Sequence, residues 1–250
     1  MTLRELFGAI ADSIRRKDGT TEKINPLTFP ARIDAISGGS GKEVQILDRS
    51  ITEYASEEKI WLGKHAFREC TNLLSVSLPN TTNVNMYAFS GCTSLEVVNL
   101  PKVTTVTGYA FENCTALKRL ELPLCRVLAK YAMKGAGLVQ VVISGGSVGS
   151  YAFQDCKNLE TVDIVGSAWT INGYAFSGCE KLTALILRTF TGKWTMQSFS
   201  AFEGTPIENG KGYIYVPKEE IENLKMDPTW AEYYLDVTRA IEDWPEITGG

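Results

Sequence analysis

The pair Ala-Phe recurs along this chain at a nearly constant spacing, and no other feature restricts the fold so tightly. Pairs begin at Ala66, Ala88, Ala110, Ala152, Ala175 and Ala201, and Ala132 heads a further copy with Met133 in place of phenylalanine. The steps between successive copies are 22, 22, 22, 20, 23 and 26 residues. Longer phrases travel with the pair: "YAFSGCTSLEVVNLP" from Tyr87 is followed by "YAFENCTALKRLELP" from Tyr109 and "YAFQDCKNLETVDI" from Tyr151. Units this short cannot bury an apolar face alone, so they are stable only when stacked around one continuous core.

The letters of one unit say what each position does. Leucine at fixed offsets in a period of this length marks a leucine-rich solenoid. Leu95, Val98 and Leu100 point inward, the last two alternating as in a short strand. Pro101 ends that strand, because proline gives no N–H to a ladder. A second apolar point, at Val84, Val106, Leu128, Val148 or Ile171, lies three residues before each tyrosine and suits another extended segment. Each coil is therefore expected to hold a strand, a turn, a second extended piece and a tight helical or 3₁₀ turn at Ala-Phe. The alanine fits where coils approach closely, and the phenylalanine fills the wedge between them.

These units resemble the BspA-type leucine-rich repeat family of bacterial surface and phage-associated proteins, whose unit reads A-F-x-x-C-x-x-L-x-x-I-x-I-P. The resemblance runs roughly from Glu43 to Pro217. It implies an α/β repeat fold: a right-handed leucine-rich-repeat solenoid of about seven units, with short strands and helical turns. Two units depart from the pattern. The fourth, "YAMKGAGLVQVVISGG", lacks Phe and Cys and is shorter, so a local kink is expected there; the seventh, "FSAFEGTPIENGKGYIYVP", lacks Cys and reads as a degenerate cap. For function the resemblance implies adhesion or host recognition at a bacterial or virion surface, without a cofactor, and it leaves the localisation open between the two. A repeat scaffold does not itself specify a ligand.

The flanks divide the chain further. Residues 1–36 are expected to form a small helical module, with Leu3, Leu6, Phe7, Ile10 and Ile14 on one face, Gly19 as a stop, and Pro30 opening a second short helix. Residues 37–43, "SGGSGKE", are a Gly/Ser linker; the repeats fill 44–212, and a C-terminal cap occupies 213–250. In that cap Tyr213 to Val216 reads as a strand, and Trp230 and Tyr234 read as core aromatics laid over the last coil. The stretch "AIADSIRRKDGTTEKINPLTFPARIDAI" resembles a helical module of phage and prophage structural proteins. That likeness implies an alternative role as an assembly component that docks or forms a homo-oligomer through residues 1–36; the plainer reading is a cap for the first coil.

Composition and motifs narrow the chemistry. A net charge of -4 offers no basic surplus for nucleic acid. The opening "MTLRELFGAI" carries Glu5 and lacks a basic n-region, and no later apolar run approaches a membrane span, so neither signal-peptide export nor membrane insertion is expected. Cys70, Cys92, Cys114, Cys156 and Cys179 each follow a repeat alanine by four residues, Ala136 takes that place in the fourth unit, and only Cys125 lies off the pattern. Without paired C-x-x-C spacing this is a column of buried thiols, neither a metal site nor a disulfide framework. His65, the single histidine, fills a tyrosine slot and reads as structural. "ISGGSVGS" lacks the spacing of a phosphate loop. Glu121 and Asp163 share one strand slot two units apart, on the order of 10 Å, near the wide limit for paired glycosidase carboxylates, but charges on an exposed strand face are the commoner explanation. No enzyme is expected.

What remains is a surface. Two positions flank the central apolar residue of each strand and should face outward. They give a candidate binding face of Val97 and Asn99, Arg119 and Glu121, Gln140 and Val142, then Thr161 and Asp163, flanked by Ser75 and Ser77 below and by Ala184 and Ile186 above. Apolar Val97, Val142 and Ile186 at outward positions favour contact with a protein or glycan over inert solvation.

Overall fold

The computed structural model describes residues 49–166, 169–188, 195–196 and 199–245. The expected N-terminal helices and their Gly/Ser joint lie outside these residues. Within them the chain winds through successive coils, each contributing one strand to a first wall and most contributing a second strand to another. The first wall runs β1 (Glu53–Ala55), β2 (Ser75–Ser77), β4 (Val97–Asn99), β6 (Arg119–Leu122), β8 (Gln140–Ile143), β10 (Thr161–Ile164), β12 (Ala184–Leu187), β14 (Tyr213–Val216) and β15 (Thr238–Ala240). The second runs β3 (Asn83–Val84), β5 (Thr105–Val106), β7 (Val127–Leu128), β9 (Gly146–Val148), β11 (Trp169–Ile171) and β13 (Thr195–Met196). Every pairing is parallel, and each aligns equivalent letters of adjacent units, such as Val76 with Val98 and Val162 with Leu185.

This register turns the sequence repeat into columns. The seven Ala-Phe or Ala-Met pairs are buried, and the inward strand residues Val76, Leu120, Val141, Val162 and Leu185 are at most 1% exposed. Phenylalanines stack down the core with ring centroids 5.3 Å apart for Phe67 and Phe89 and 5.1 Å for Phe89 and Phe111. Met133 interrupts the stack, which resumes from Phe153 to Phe176 and Phe202. Tyr234 closes it edge-on against Phe202 at 5.8 Å, and Trp230 packs on Tyr234 at 5.5 Å. Both are buried as core, carried by the short helices Ile221–Lys225 and Pro228–Tyr233 and the turn after them. The last unit thus gains an aromatic lid where no further coil follows.

The Ala-Phe segment differs from the helical turn expected of it: in most coils it is a run of turns. Two residues per coil take the left-handed backbone: the tyrosine (Tyr87 at φ 57°, Tyr109 at 59°) and the residue before the cysteine slot (Gly91 at 75°, Asn113 at 55°). Helical winding cannot pass through such residues. Backbone N–H groups instead alternate in direction. Those of Ala88, Ser90 and Cys92 bond three residues back within the coil, while those of Tyr87, Phe89 and Gly91 reach Gly108, Ala110 and Glu112 of the next coil. A tyrosine in the left-handed region costs roughly 1–2 kcal/mol. Stacking offsets part of that, at about 0.5–1.5 kcal/mol per aromatic pair, because His65, Tyr87, Tyr109, Tyr131, Tyr151 and Tyr174 form a continuous stack at 4.9–5.1 Å. The lone histidine is a member of this column.

The cysteines lock one coil to another. Cys92 Sγ donates to the Phe67 carbonyl at 2.9 Å, Cys114 to Phe89 at 3.1 Å, Cys156 to Met133 at 3.0 Å and Cys179 to Phe153 at 3.1 Å. Thr205 fills the slot in the seventh unit and bonds Phe202 of its own coil instead. Burial pushes the Cys92, Cys114 and Cys179 thiols far above their usual range, and the off-column Cys125 to about 11.

The shortened fourth unit keeps its place in both walls. Arg119 follows Cys114 by five residues, whereas its partner Gln140 follows Ala136 by four. Leu128 follows Leu122 by six, whereas Val148 follows Ile143 by five. Each turn thus gives up one residue, and a glycine allows the closer approach. A Cβ at Gly137 would lie 1.9 Å from the Thr115 carbonyl oxygen, and one at Gly146, where φ is 133°, would lie 1.8 Å from that of Arg126.

Gly146→Ala is therefore expected to cost about 3 kcal/mol in denaturant unfolding. Gly210→Ala, left-handed but with nothing within 4 Å of the added atom, should cost about 1–2 kcal/mol. The thiols give a second expectation: because all 6 are buried out of reach of the reagent, Ellman's reagent at mildly alkaline pH should leave them unreacted in the folded protein and titrate all of them in denaturant.

Candidate functional site

The outward residues of the first wall form two parallel columns. Register within each sheet, and repeat equivalence across the unpaired β4–β6 junction, place Ser75, Val97, Arg119, Gln140, Thr161, Ala184 and Tyr213 in one, and Ser77, Asn99, Glu121, Val142, Asp163, Ile186 and Tyr215 in the other. All eight candidate residues therefore occupy one face, but that face has an open half and a covered half.

The open half is polar and cross-linked. Asn99 Nδ2 donates to Ser77 Oγ at 2.9 Å. Arg119 Nε donates to Glu121 Oε1 at 2.8 Å, and its Nη1 donates to Gln140 Oε1 of the next strand. Beside this row Val97 is 59% exposed, and Val142 and Thr161 are half-buried. Between β4 and β6 the wall is interrupted, since these neighbours do not pair. An open cleft of about 360 Å³ lies there, and Val97, Asn99, Arg119 and Glu121 line it. Four of the eight candidates thus converge on one concavity. Glu96, Val98, Pro101 and Pro123 also line it and were not among them. Pro101 was legible as a strand terminator, but nothing in the repeat pattern marks Val98 as anything except core.

The covered half corrects the expectation for Asp163, Ala184 and Ile186. Asp163 is 6% exposed and is gripped by Arg188, with Nε at 2.9 Å and 3.0 Å from the two carboxylate oxygens and Nη2 at 2.8 Å from Oδ2. A carboxylate so held is no acid–base partner for Glu121, which is itself paired with Arg119. Ala184 and Ile186 form a small second core with Tyr215 and Trp244. The chain after β15 folds back over the outward face, and the Arg188 guanidinium lies 5.8 Å from the centre of the Trp244 ring. Apolar letters at these outward positions are filled by the protein's own C-terminal segment, not left open to a partner.

Among the described residues no group of His, Cys, Asp and Glu is arranged to hold a metal ion, and no helix is long and apolar enough to cross a membrane. Stacked coils and two parallel walls define a leucine-rich repeat solenoid, a scaffold class. The sequence matches the family model of the BspA type leucine rich repeat region in six copies over residues 50–148 and 127–209. The chain belongs to the BspA-type leucine-rich repeat family. No curated protein matches it. Among solved structures it is similar to a leucine-rich repeat protein from Bacteroides ovatus, at 24% identity over 63% of this chain and 46% of that one, with a TM-score of 0.47. The chain thus spans a little under half the length of that relative. A T. pallidum leucine-rich repeat protein matches at 24% identity over 62% of this chain and 72% of that one, with a TM-score of 0.46. A leucine rich cell surface protein from Faecalibacterium prausnitzii matches at 15% identity over 77% and 76%, with a TM-score of 0.31.

The two arginine–carboxylate pairs should separate in stability measurements. Arg188→Ala strands a nearly buried carboxylate and is expected to cost about 3 kcal/mol. Arg119→Ala breaks a pair whose side chains are 59% and 56% exposed and should cost under about 1 kcal/mol.

Proposed function

We propose that this protein is a non-enzymatic binding scaffold whose open half-face holds a protein or glycan at a bacterial, host or virion surface, in adhesion or host recognition. One observation carries this reading: Val97, the most exposed apolar residue of that face, stands beside a row of polar side chains already fixed by hydrogen bonds to one another. Side chains ordered before contact lose little conformational entropy on binding, which favours recognition over inert solvation. Membership of the family supports the surface setting. Residues 1–36, whose apolar letters Leu3, Leu6, Phe7, Ile10 and Ile14 recur at helical spacing, support a second reading, in which the solenoid is an assembly component of a phage or prophage particle docked through that segment.

Labelled protein applied to intact gut bacterial cells and to host matrix proteins tests the first reading, with the Arg119→Ala/Glu121→Ala variant beside it. Saturable binding that weakens at least roughly tenfold in the variant is expected, because both side chains belong to the fixed row. Absence of saturable binding to every target would overturn it.

A further inference from the structure

From β1 to β12, coil-to-coil bonding along the first wall follows one rule with one exception among the described residues. Two successive N–H groups of each coil converge on a single carbonyl of the coil before: Leu74 and Ser75 on Thr52, Glu96 and Val97 on Leu74, Val139 and Gln140 on Lys118, Glu160 and Thr161 on Val139. The pair that would run from Lys118 and Arg119 to the Glu96 carbonyl is not made. β4 and β6 accordingly fall in separate sheets. The inward residues show the consequence. Val76 and Leu120, on either side, are each 1% exposed, whereas Val98 between them is only partly buried. Here the cleft reaches the inward-facing Val98.

We infer that this cleft is a docking slot for one extended polypeptide segment of a partner, which seats an apolar side chain on Val98 and sets a basic side chain beside Glu96. The inference rests on the open-face reading above and names the partner for it. Three features select the occupant. A volume of about 360 Å³ lies at the lower end of ligand pockets, roughly 300–1,000 Å³, and suits one large side chain better than a helix. Its lips present backbone groups without ladder partners, the Arg119 N–H and the Glu96 carbonyl, and an extended main chain satisfies such groups. Charge decides the rest. Arg119 neutralises Glu121, while Glu96 is exposed and makes no ion pair among the described residues, so the slot carries one unbalanced negative charge. An acidic segment would bring like charges together, and a sugar has no large apolar group for the floor. Pro101 and Pro123 stiffen the two lips.

The test is an NMR titration of the ¹⁵N-labelled full chain with the peptide acetyl-Ser-Phe-Lys-Ser-amide. Saturable shifts at the Val98, Lys118 and Arg119 amides are expected. Replacing the peptide phenylalanine by serine should weaken binding at least about tenfold, and Glu96→Gln in the protein should weaken it about three- to fivefold. Glu96 is exposed, so this variant keeps the fold and its remaining spectrum should match the parent. No saturable shift at those amides, or tighter binding of the Phe-Glu peptide or of a gluco-oligosaccharide, overturns the inference. Cell binding that depends on Arg119 and Glu121 while the peptide fails removes the slot and leaves the open-face reading standing; failure of both removes both.

Discussion

The parallel coil-to-coil hydrogen bond is the interaction on which the rest of this structure depends. It repeats in three places around each coil: in the first wall, in the second wall and in the Ala-Phe turn stack. Because the bonds set a register that aligns equivalent residues, one position in the repeat becomes one column in space. Small alanine, stacked phenylalanine and donating cysteine are then answers to a single question, namely which side chain tolerates an identical neighbour about 5 Å above and below. Aromatic rings stack on their copies, and a thiol reaches the carbonyl of the coil before. A charged residue at such a buried position would face its own repetition, and none occupies these inner columns.

The same bond explains why the left-handed residues are tolerated. Tyr87, Tyr109, Tyr131, Tyr151 and Tyr174 all hold φ between 57° and 61°, a conformation that tyrosine rarely adopts. Bonding to the neighbouring coils and ring stacking hold it there, so the strain is distributed along the column and not borne by one coil. At the companion position Glu69, Gly91, Asn113, Gly135, Asp155 and Gly178 follow one another, mostly the residues that accept the left-handed region most readily.

That column was present in the sequence and could have revealed the turn stack; the expected 3₁₀ turn came from reading the Ala-Phe letters without their flanking residues. Strand positions, the inward leucines and valines, the thiol column and the aromatic lid of Trp230 and Tyr234 were all legible, because each follows from period and burial. The fate of the outer face was not. Asp163 and Ile186 sit at outward slots by every local rule, yet Arg188 and Trp244 cover them, and only the course of a chain segment tens of residues later decides that. Likewise the missing pairing between β4 and β6 leaves no mark in "LEVVNLP" or "LKRLELP", two of the most regular units in the chain. Regularity of letters fixes the register, while small differences in how adjacent coils meet decide where the wall opens.

Amide hydrogen exchange at Arg119 tests the central claim most directly, namely that the wall is continuous except at this one junction. Exchange at Arg119 should be faster than at its column neighbours Gln140 and Thr161 by on the order of a hundredfold or more, since their N–H groups are bonded to the coil before and its own is not. Equal protection at all three would mean that the wall is closed between β4 and β6, and would contradict the account of the cleft.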